Sequence, residues 1–343
     1  MRRILVIAPS WLGDIIMSQA LLKALKSLYP SCEITVYAPA YALPVVARMK
    51  EVAHAIENPF GHGQLLLKKR WQEGRKLRKL GFDTCFVLPN SIKSALVPFF
   101  AGIPDRRGFK GEGRYFLLNS MRCNKNDYPR MADRYVALAY PKDQVRRASD
   151  LPKWELPALD LREPSPELLS RLKLDFGKPA LALGCGASYG PAKIWPAEYF
   201  AEVCKWWVGK TGGLCIAFGT KSDAAAANAV EKALSGEALE HFRNIAGFTK
   251  VDEALDLLGK CSAAVCNDSG LMHTAAAAGV PQADIFGSTS ATYTPPLSGK
   301  AACIESPEPC RPCFERTCPK GTYACLRGIS PERVIKALGS VMK

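Results

Sequence analysis

Four stretches of this 343-residue chain carry residues whose types and spacing could do chemistry. The first is Ala8-Pro9-Ser10-Trp11-Leu12-Gly13-Asp14. Gly13 permits a tight turn, and Asp14 stands where an amphipathic pattern begins, so it either caps a helix or serves as a general base. The second runs from Gly184 to Pro196 and holds Gly184, Gly186, Ser188, Gly190 and Lys193. Its third glycine comes one residue late for the dinucleotide fingerprint, and Pro191 intrudes. What it offers is backbone amides, a hydroxyl and a lysine ahead of a helix start, a set suited to phosphate or pyrophosphate. A glycine-rich turn with a solvent-facing lysine is the plain alternative. The third stretch is Asn267-Asp268-Ser269-Gly270-Leu271-Met272-His273, where small residues leave amides open to an anion at a helix start. His273, one of four histidines, is either a ligand or a core residue. In the fourth, Phe218 to Asp223, the acid holds vicinal ribose hydroxyls or caps the next helix.

Cys303, Cys310, Cys313, Cys318 and Cys325 fall within 23 residues, and Cys310-x-x-Cys313 has a metal-like spacing. The gaps match no strong zinc template, so free thiols are expected and a metal at Cys310, Cys313, Cys318 and Cys325 is the lesser reading. No Asp-x-Asp pair and no Walker A pattern occurs. A metal-free reaction on a phosphorylated donor is what remains.

These loops need strands and helices to position them. Strands are expected at Ile4 to Ala8, Glu33 to Tyr37 and Thr84 to Leu88, and helices at Asp14 to Tyr29 and Leu65 to Leu80. The second of these helices carries a dense basic face: Lys68, Lys69, Arg70, Arg75, Lys76, Arg78 and Lys79. A Pro-rich stretch around 151–166 reads as a linker between residues 1–150 and 167–343. Alternation then restarts, with strands at Ala180 to Leu183, Leu214 to Phe218, Ala263 to Cys266 and Gln282 to Phe286. Helices begin near Pro196, Ser222, Val251, Gly270 and Ser330. The pattern predicts an α/β protein of two Rossmann-like, doubly wound domains facing a cleft, with ligands at the carboxyl ends of the strands.

Net charge is +14, and residues 1–150 hold 25 Lys and Arg against 12 Asp and Glu. That half is expected to meet something anionic: nucleic acid, acidic lipid headgroups or a phosphorylated glycan. Neither a bilayer-crossing run nor a signal-peptide cleavage site is found, and thirteen cysteines then point to a reducing compartment. Two rival classes fit less well. A nucleotide-binding Rossmann oxidoreductase lacks an acid about 20 residues beyond its glycines. A basic nucleic-acid-binding protein with a cysteine module would need aromatic stacking motifs, and the basic residues here are dispersed, so no nucleic acid partner is expected.

Taken together, Pro9 to Asp14, Leu88-Pro89-Asn90-Ser91 through Phe99 to Pro104, Gly190 to Pro196 and Asn267 to His273 resemble the lipopolysaccharide heptosyltransferases of glycosyltransferase family 9. The likeness covers almost the whole chain, and Leu88 to Pro104 favours the type II branch. It implies a GT-B fold and inverting transfer of heptose from ADP-heptose to the heptose already on the lipopolysaccharide inner core. No cofactor is implied. By position Asp14 looks like the base and Lys193 the phosphate-binding lysine. Gly186, Ser188, Asp223, Asp268, Ser269, Gly270 and His273 fall to the donor. The charge asymmetry then assigns the anionic core acceptor to the first domain, through His62, Lys93, Arg106, Arg107 and Arg114. Such enzymes work as peripheral proteins at the cytoplasmic face of the inner membrane.

Overall fold

The computed structural model describes residues 1–61 and 63–343, which divide into two units, Met1–Leu159 and Asp160–Lys343. The first is built on β1 (Arg3–Ile7), β2 (Glu33–Pro39), β3 (Val52–Asn58), β4 (Thr84–Val87), β5 (Asp105–Phe109) and β6 (Ser120–Arg122). They form one sheet in the order β3-β2-β1-β4-β5-β6, every pair parallel. The second unit repeats the plan with β7 (Leu181–Gly184), β8 (Cys215–Ala217), β9 (Phe242–Asn244), β10 (Ala263–Asn267), β11 (Gln282–Phe286) and β12 (Ala301–Glu305). Its order is β12-β11-β10-β7-β8-β9, again all parallel. Counted from the first strand of each unit, both sheets have the Rossmann order 3-2-1-4-5-6.

Parallel strands buried on both faces need continuous apolar runs, and β7 and β10 supply them. Leu181, Leu183, Val265 and Ile285 face one layer with Trp195 and Trp207, whereas Ala182, Ile216, Ala264 and Cys266 face Leu257 and Met272. Trp195 is fully buried and donates its indole N–H to the Ile329 carbonyl at 3.0 Å; truncation to alanine would cost about 3–5 kcal/mol. In the first unit Leu5, Ile7, Cys85 and Val87 pack on Leu77 and Val97. Helices Leu67–Arg78 and Ile92–Phe100 lie against each other at Gly74, where any Cβ would press into Phe100.

Some expected elements shift. The first helix begins at Leu12 rather than Asp14, and the basic helix spans Leu67–Arg78. Its Arg70 is not on a solvated face: the guanidinium is buried, donates to the carbonyls of Gln64, Leu65 and Lys93, and lies over the Phe60 ring. In the Pro-rich stretch, Gln19 holds Ala158 through both its amide groups, and Arg162 N–H donates to Asp256. Pro166 opens helix Pro166–Leu172, capped by the Ser165 hydroxyl.

All thirteen cysteines are free and eight are buried. Cys303, Cys310 and Cys313 are exposed. Among the described residues no group of three or more His, Cys, Asp or Glu is arranged to hold a metal, and no helix is long and apolar enough to cross a membrane.

Candidate active site

Because each sheet is parallel, the loops after its strands share one edge, and the predicted residues distribute between two such edges. In the first unit Asp14 follows β1, within the first turn of helix Leu12–Leu28, half-buried. Trp11 holds the N-cap position. Tyr41, whose hydroxyl donates to Ser10 at 2.5 Å, stands close enough for Asp14, after burial, to push its phenol pKa up.

The second unit assembles a polar cluster at the ends of β7, β10 and β11. Asn267 is fully buried and ties two loops together: its Oδ1 accepts from the Trp195 N–H at 3.1 Å, and its Nδ2 donates to the Cys185 carbonyl at 2.7 Å. Next in sequence, Asp268 places Oδ2 2.6 Å from Lys193 Nζ, with only 4% and 12% of the two side chains exposed. Thr289 Oγ1 donates to the same carboxylate oxygen at 2.5 Å, and Lys193 Nζ lies 4.8 Å from the centre of the Tyr189 ring. His273 is 5% exposed, its Nδ1 without a protein partner. Burial, opposed by Asp268 and helped by Lys193, lowers its pKa to about 4, so the ring is neutral at pH 7. Ser269 and Gly270 open helix Gly270–Ala277 beside this pair.

Asp223 accepts from Thr220 N–H and Oγ1 at 2.8 and 2.7 Å, capping the short turn Lys221–Asp223. Gly186 meets this acid directly, since a Cβ there would run into the Asp223 carboxylate. Gly186 thus brings the β7 loop against Asp223. Ser188 is exposed on that loop. Gly186 to Gly190 spells Gly-x-Ser-x-Gly, yet the next α-helix begins only at Ala197, so Ser188 does not stand on a strand-to-helix nucleophile elbow.

Three of the expected acceptor arginines fit poorly. Arg114 is 1% exposed and its terminal nitrogens go to Pro89, Ser91, Phe109, Ser94 and Asn90; burial lowers its pKa to about 10. It holds loops in place and presents no charge to a ligand. Arg106 and Arg107 lie in the amino-terminal half of β5, away from the strand ends that matter. The Arg106 guanidinium donates to the carbonyls of Ile103 and Leu117, and Arg107 pairs with Asp105 at 2.8 Å. Lys93 sits in the first turn of helix Ile92–Phe100, half-buried at the correct edge. His62 lies outside the described residues.

Several partners of the cluster carry no sequence signal. The segment 311–316 clamps the loops around Lys193 and Thr289: Arg311 donates to Gly287 and Thr289 carbonyls at 2.6 and 3.0 Å, the Tyr189 hydroxyl donates to the Phe314 carbonyl, and Ala192 N–H donates to the Arg316 carbonyl at 3.0 Å. Asp284 and Gln282 are fully buried with side-chain atoms that lack hydrogen-bond partners. Burial, then Asp268, keep the Asp284 carboxyl protonated well above the usual carboxylate range.

Each unit has the Rossmann strand order, and the second places a buried cation–carboxylate pair at its strand ends, where ligands bind in open α/β sheets. Residues 70–324 match the family model described as glycosyltransferase family 9 (heptosyltransferase). The lipooligosaccharide heptosyltransferase 2 of Haemophilus influenzae is 46% identical over 308 residues, 88% of each chain. The lipopolysaccharide heptosyltransferase 2 of Salmonella typhimurium is 43% identical over 99% of this chain and 98% of its own. The solved structure of the Escherichia coli ADP-heptose lipopolysaccharide heptosyltransferase II superposes with a TM-score of 0.88 at 40% identity, covering 100% of this chain and 98% of that one. The chain belongs to glycosyltransferase family 9, the heptosyltransferases. It is a glycosyltransferase with the GT-B fold.

Proposed function

We propose that this enzyme transfers heptose from ADP-heptose to the first heptose of the lipopolysaccharide inner core, with inversion at the anomeric carbon. The observation that carries the donor half is the Lys193–Asp268 pair at 2.6 Å beside the neutral His273. On donor binding the Lys193 ammonium meets the diphosphate, whose negative charge grows as the bond from the anomeric carbon to oxygen breaks. His273, neutral and with a free ring nitrogen, suits a hydroxyl of the sugar. Asp223, Ser188, Ser269 and Gly270 line the remaining donor loops.

On the acceptor side Asp14 is the proposed base. An unactivated hydroxyl is a poor nucleophile, and a positioned carboxylate that takes its proton contributes roughly 10²–10⁴-fold. The basic surplus of residues 1–150, Lys93 included, matches an anionic core acceptor. In this reading the protein works at the cytoplasmic face of the inner membrane as a peripheral enzyme. The direct test incubates it with ADP-heptose and heptose-truncated lipopolysaccharide. ADP release with a one-heptose mass increment is expected; ADP release without that increment, or no turnover, would refute the assignment.

A further inference from the structure

The Cys310-x-x-Cys313 motif has no part in the proposed chemistry, but it encloses Arg311, whose side chain is only 8% exposed. A cation withdrawn so far from water needs an opposite charge and a set of acceptors. Arg311 has both. Its Nε donates to the Gly287 carbonyl at 2.6 Å and its Nη1 to the Ser306 carbonyl at 3.2 Å. Its Nη2 donates to the Thr289 carbonyl and to Glu305 Oε1, each at 3.0 Å. With its charge balanced by Glu305 and its donations made inside the protein, Arg311 acts on a loop and not on a ligand.

That loop, 287–289, follows β11 and touches both members of the Lys193–Asp268 pair. On the acid, Thr289 Oγ1 donates to Asp268 Oδ2 at 2.5 Å, the oxygen that also meets Lys193 Nζ at 2.6 Å. On the side of the lysine, Ser288 N–H donates to the Ala192 carbonyl at 3.1 Å, one residue before Lys193. Gly287 lies so near the Pro191–Lys193 turn that a Cβ there would stand 2.5 Å from the Ala192 carbonyl oxygen. Phe314 N–H holds the Ser288 carbonyl at 2.8 Å. Arg311 thus grips the loop on either side of Ser288, and both ends of the ion pair take their place from one guanidinium. A planar fork suits this task because its donors leave in fixed directions, which those of a lysine ammonium do not.

We propose that Arg311 is a positioning residue for the transfer reaction. By fixing residues 287–289 it sets where the Lys193 ammonium stands relative to Asp268, and so how well that ammonium meets the departing diphosphate. The inference rests on the reading of Lys193 as the phosphate contact of the donor. Positioning of this kind is steep, because a misplacement of about 1 Å at a reacting group costs up to ~100-fold in rate.

The test uses the full chain and three variants. Arg311→Met keeps the stem and removes every donor, Arg311→Lys keeps the charge and loses the fork, and Thr289→Val cuts only the link to Asp268. Thr289→Val keeps the side-chain volume, so it reads out even where a change at Arg311 prevents folding. Donor kcat/KM should fall at least ~10-fold in Arg311→Met and at least ~3-fold in Thr289→Val. Arg311→Lys should recover part of the loss, and acceptor KM should stay within about twofold of wild type in all three. The decisive arm repeats Arg311→Met and Thr289→Val in a Lys193→Ala/Asp268→Asn background, which has no ion pair left to place. There each should lower kcat/KM by less than ~2-fold, because changes that act through one group do not add. A merely structural role predicts the same factor in both backgrounds. That additivity, or donor kcat/KM within about twofold of wild type in folded Arg311→Met or Thr289→Val protein, would overturn the proposal. A Lys193→Ala protein that itself binds ADP and turns over normally would strike the donor reading and this inference with it. A defective Lys193→Ala beside normal Arg311 and Thr289 variants would strike this inference alone.

Discussion

Removing the Lys193 ammonium tests the proposed donor site most directly, because its proposed contact with the donor and its ion pair with Asp268 read out differently when lost. Toward the donor, a charge-assisted contact is worth about 1.5–3 kcal/mol, roughly ten- to a hundredfold, and more of it is felt as ADP departs. Lys193→Ala should therefore raise the donor KM and lower kcat, with kcat/KM down roughly ten- to a hundredfold. Toward the protein, the change strands Asp268, which is 4% exposed at its side chain and 2.6 Å from the ammonium. Stranding one member of a buried pair costs about 3–5 kcal/mol, and Thr289, which still donates to that oxygen, trims this toward the lower end. Adding Asp268→Asn removes the stranded charge, so the double variant should recover much of the stability and none of the activity. The assay pairs urea melts with ADP titration and steady-state transfer on all four members of the cycle. Normal ADP affinity and turnover in a destabilised Lys193→Ala protein would show that the lysine serves only as counter-ion to Asp268, and the donor assignment would fall.

Asp14→Asn should bind ADP normally and melt within about 1 kcal/mol of wild type, the usual worth of a carboxylate in a first helical turn. It should transfer heptose at least ~100-fold more slowly; near-normal kcat would move the base elsewhere. For His273 the folded pKa is depressed, from 6.5 to about 4, so the unfolded chain takes the proton first and stability falls as pH drops through that window. At ~1.4 kcal/mol per unit the loss is at most about 3.5 kcal/mol, and His273→Asn should remove it; equal losses in both proteins between pH 7 and 4.5 would contradict the buried neutral ring. Asp284 has the opposite sign. Its folded pKa is raised, so its contribution is fully present below the unfolded value near 3.8 and is lost as pH climbs. Asp284→Asn should raise Tm at pH 8 more than at pH 3.5, and a shift equal at both would mean that the carboxyl is not held protonated.

Much of the fold was legible because interior parallel strands are apolar on both faces, as in β1, β4, β7 and β10. Four of the five strands without an expected counterpart, β3, β6, β9 and β12, lie at sheet edges, where one flank is open and the apolar run dilutes. The fifth, β5, reads Asp-Arg-Arg-Gly-Phe and looks like a charged loop. Its arginines belong in a sheet only because carbonyls and Asp105 receive them. The same blindness affected Arg114, since sequence does not reveal which guanidinium meets a ring of backbone acceptors. Lys193, Asp268 and His273, which the structure brings together, could be singled out because each stands in a short motif after a strand. Thr289 and the 311–316 clamp were not, since their role arises from loops far apart in sequence meeting in space.

That clamp also bears on how the protein is made. The Lys193 loop leaves the ribosome more than a hundred residues before Arg311, Phe314 and Arg316, which fasten it. At about 5–20 residues per second that is on the order of ten seconds of synthesis. The first unit can fold while the second is still being translated, yet the loop that carries Lys193 stays unfastened until the 311–316 segment emerges. A nonsense mutation just before Arg311 would remove the clamp together with Leu326, Ile329, Val334 and Leu338, which are buried in the core of the second unit, so the damage would reach the fold and not the Lys193 loop alone.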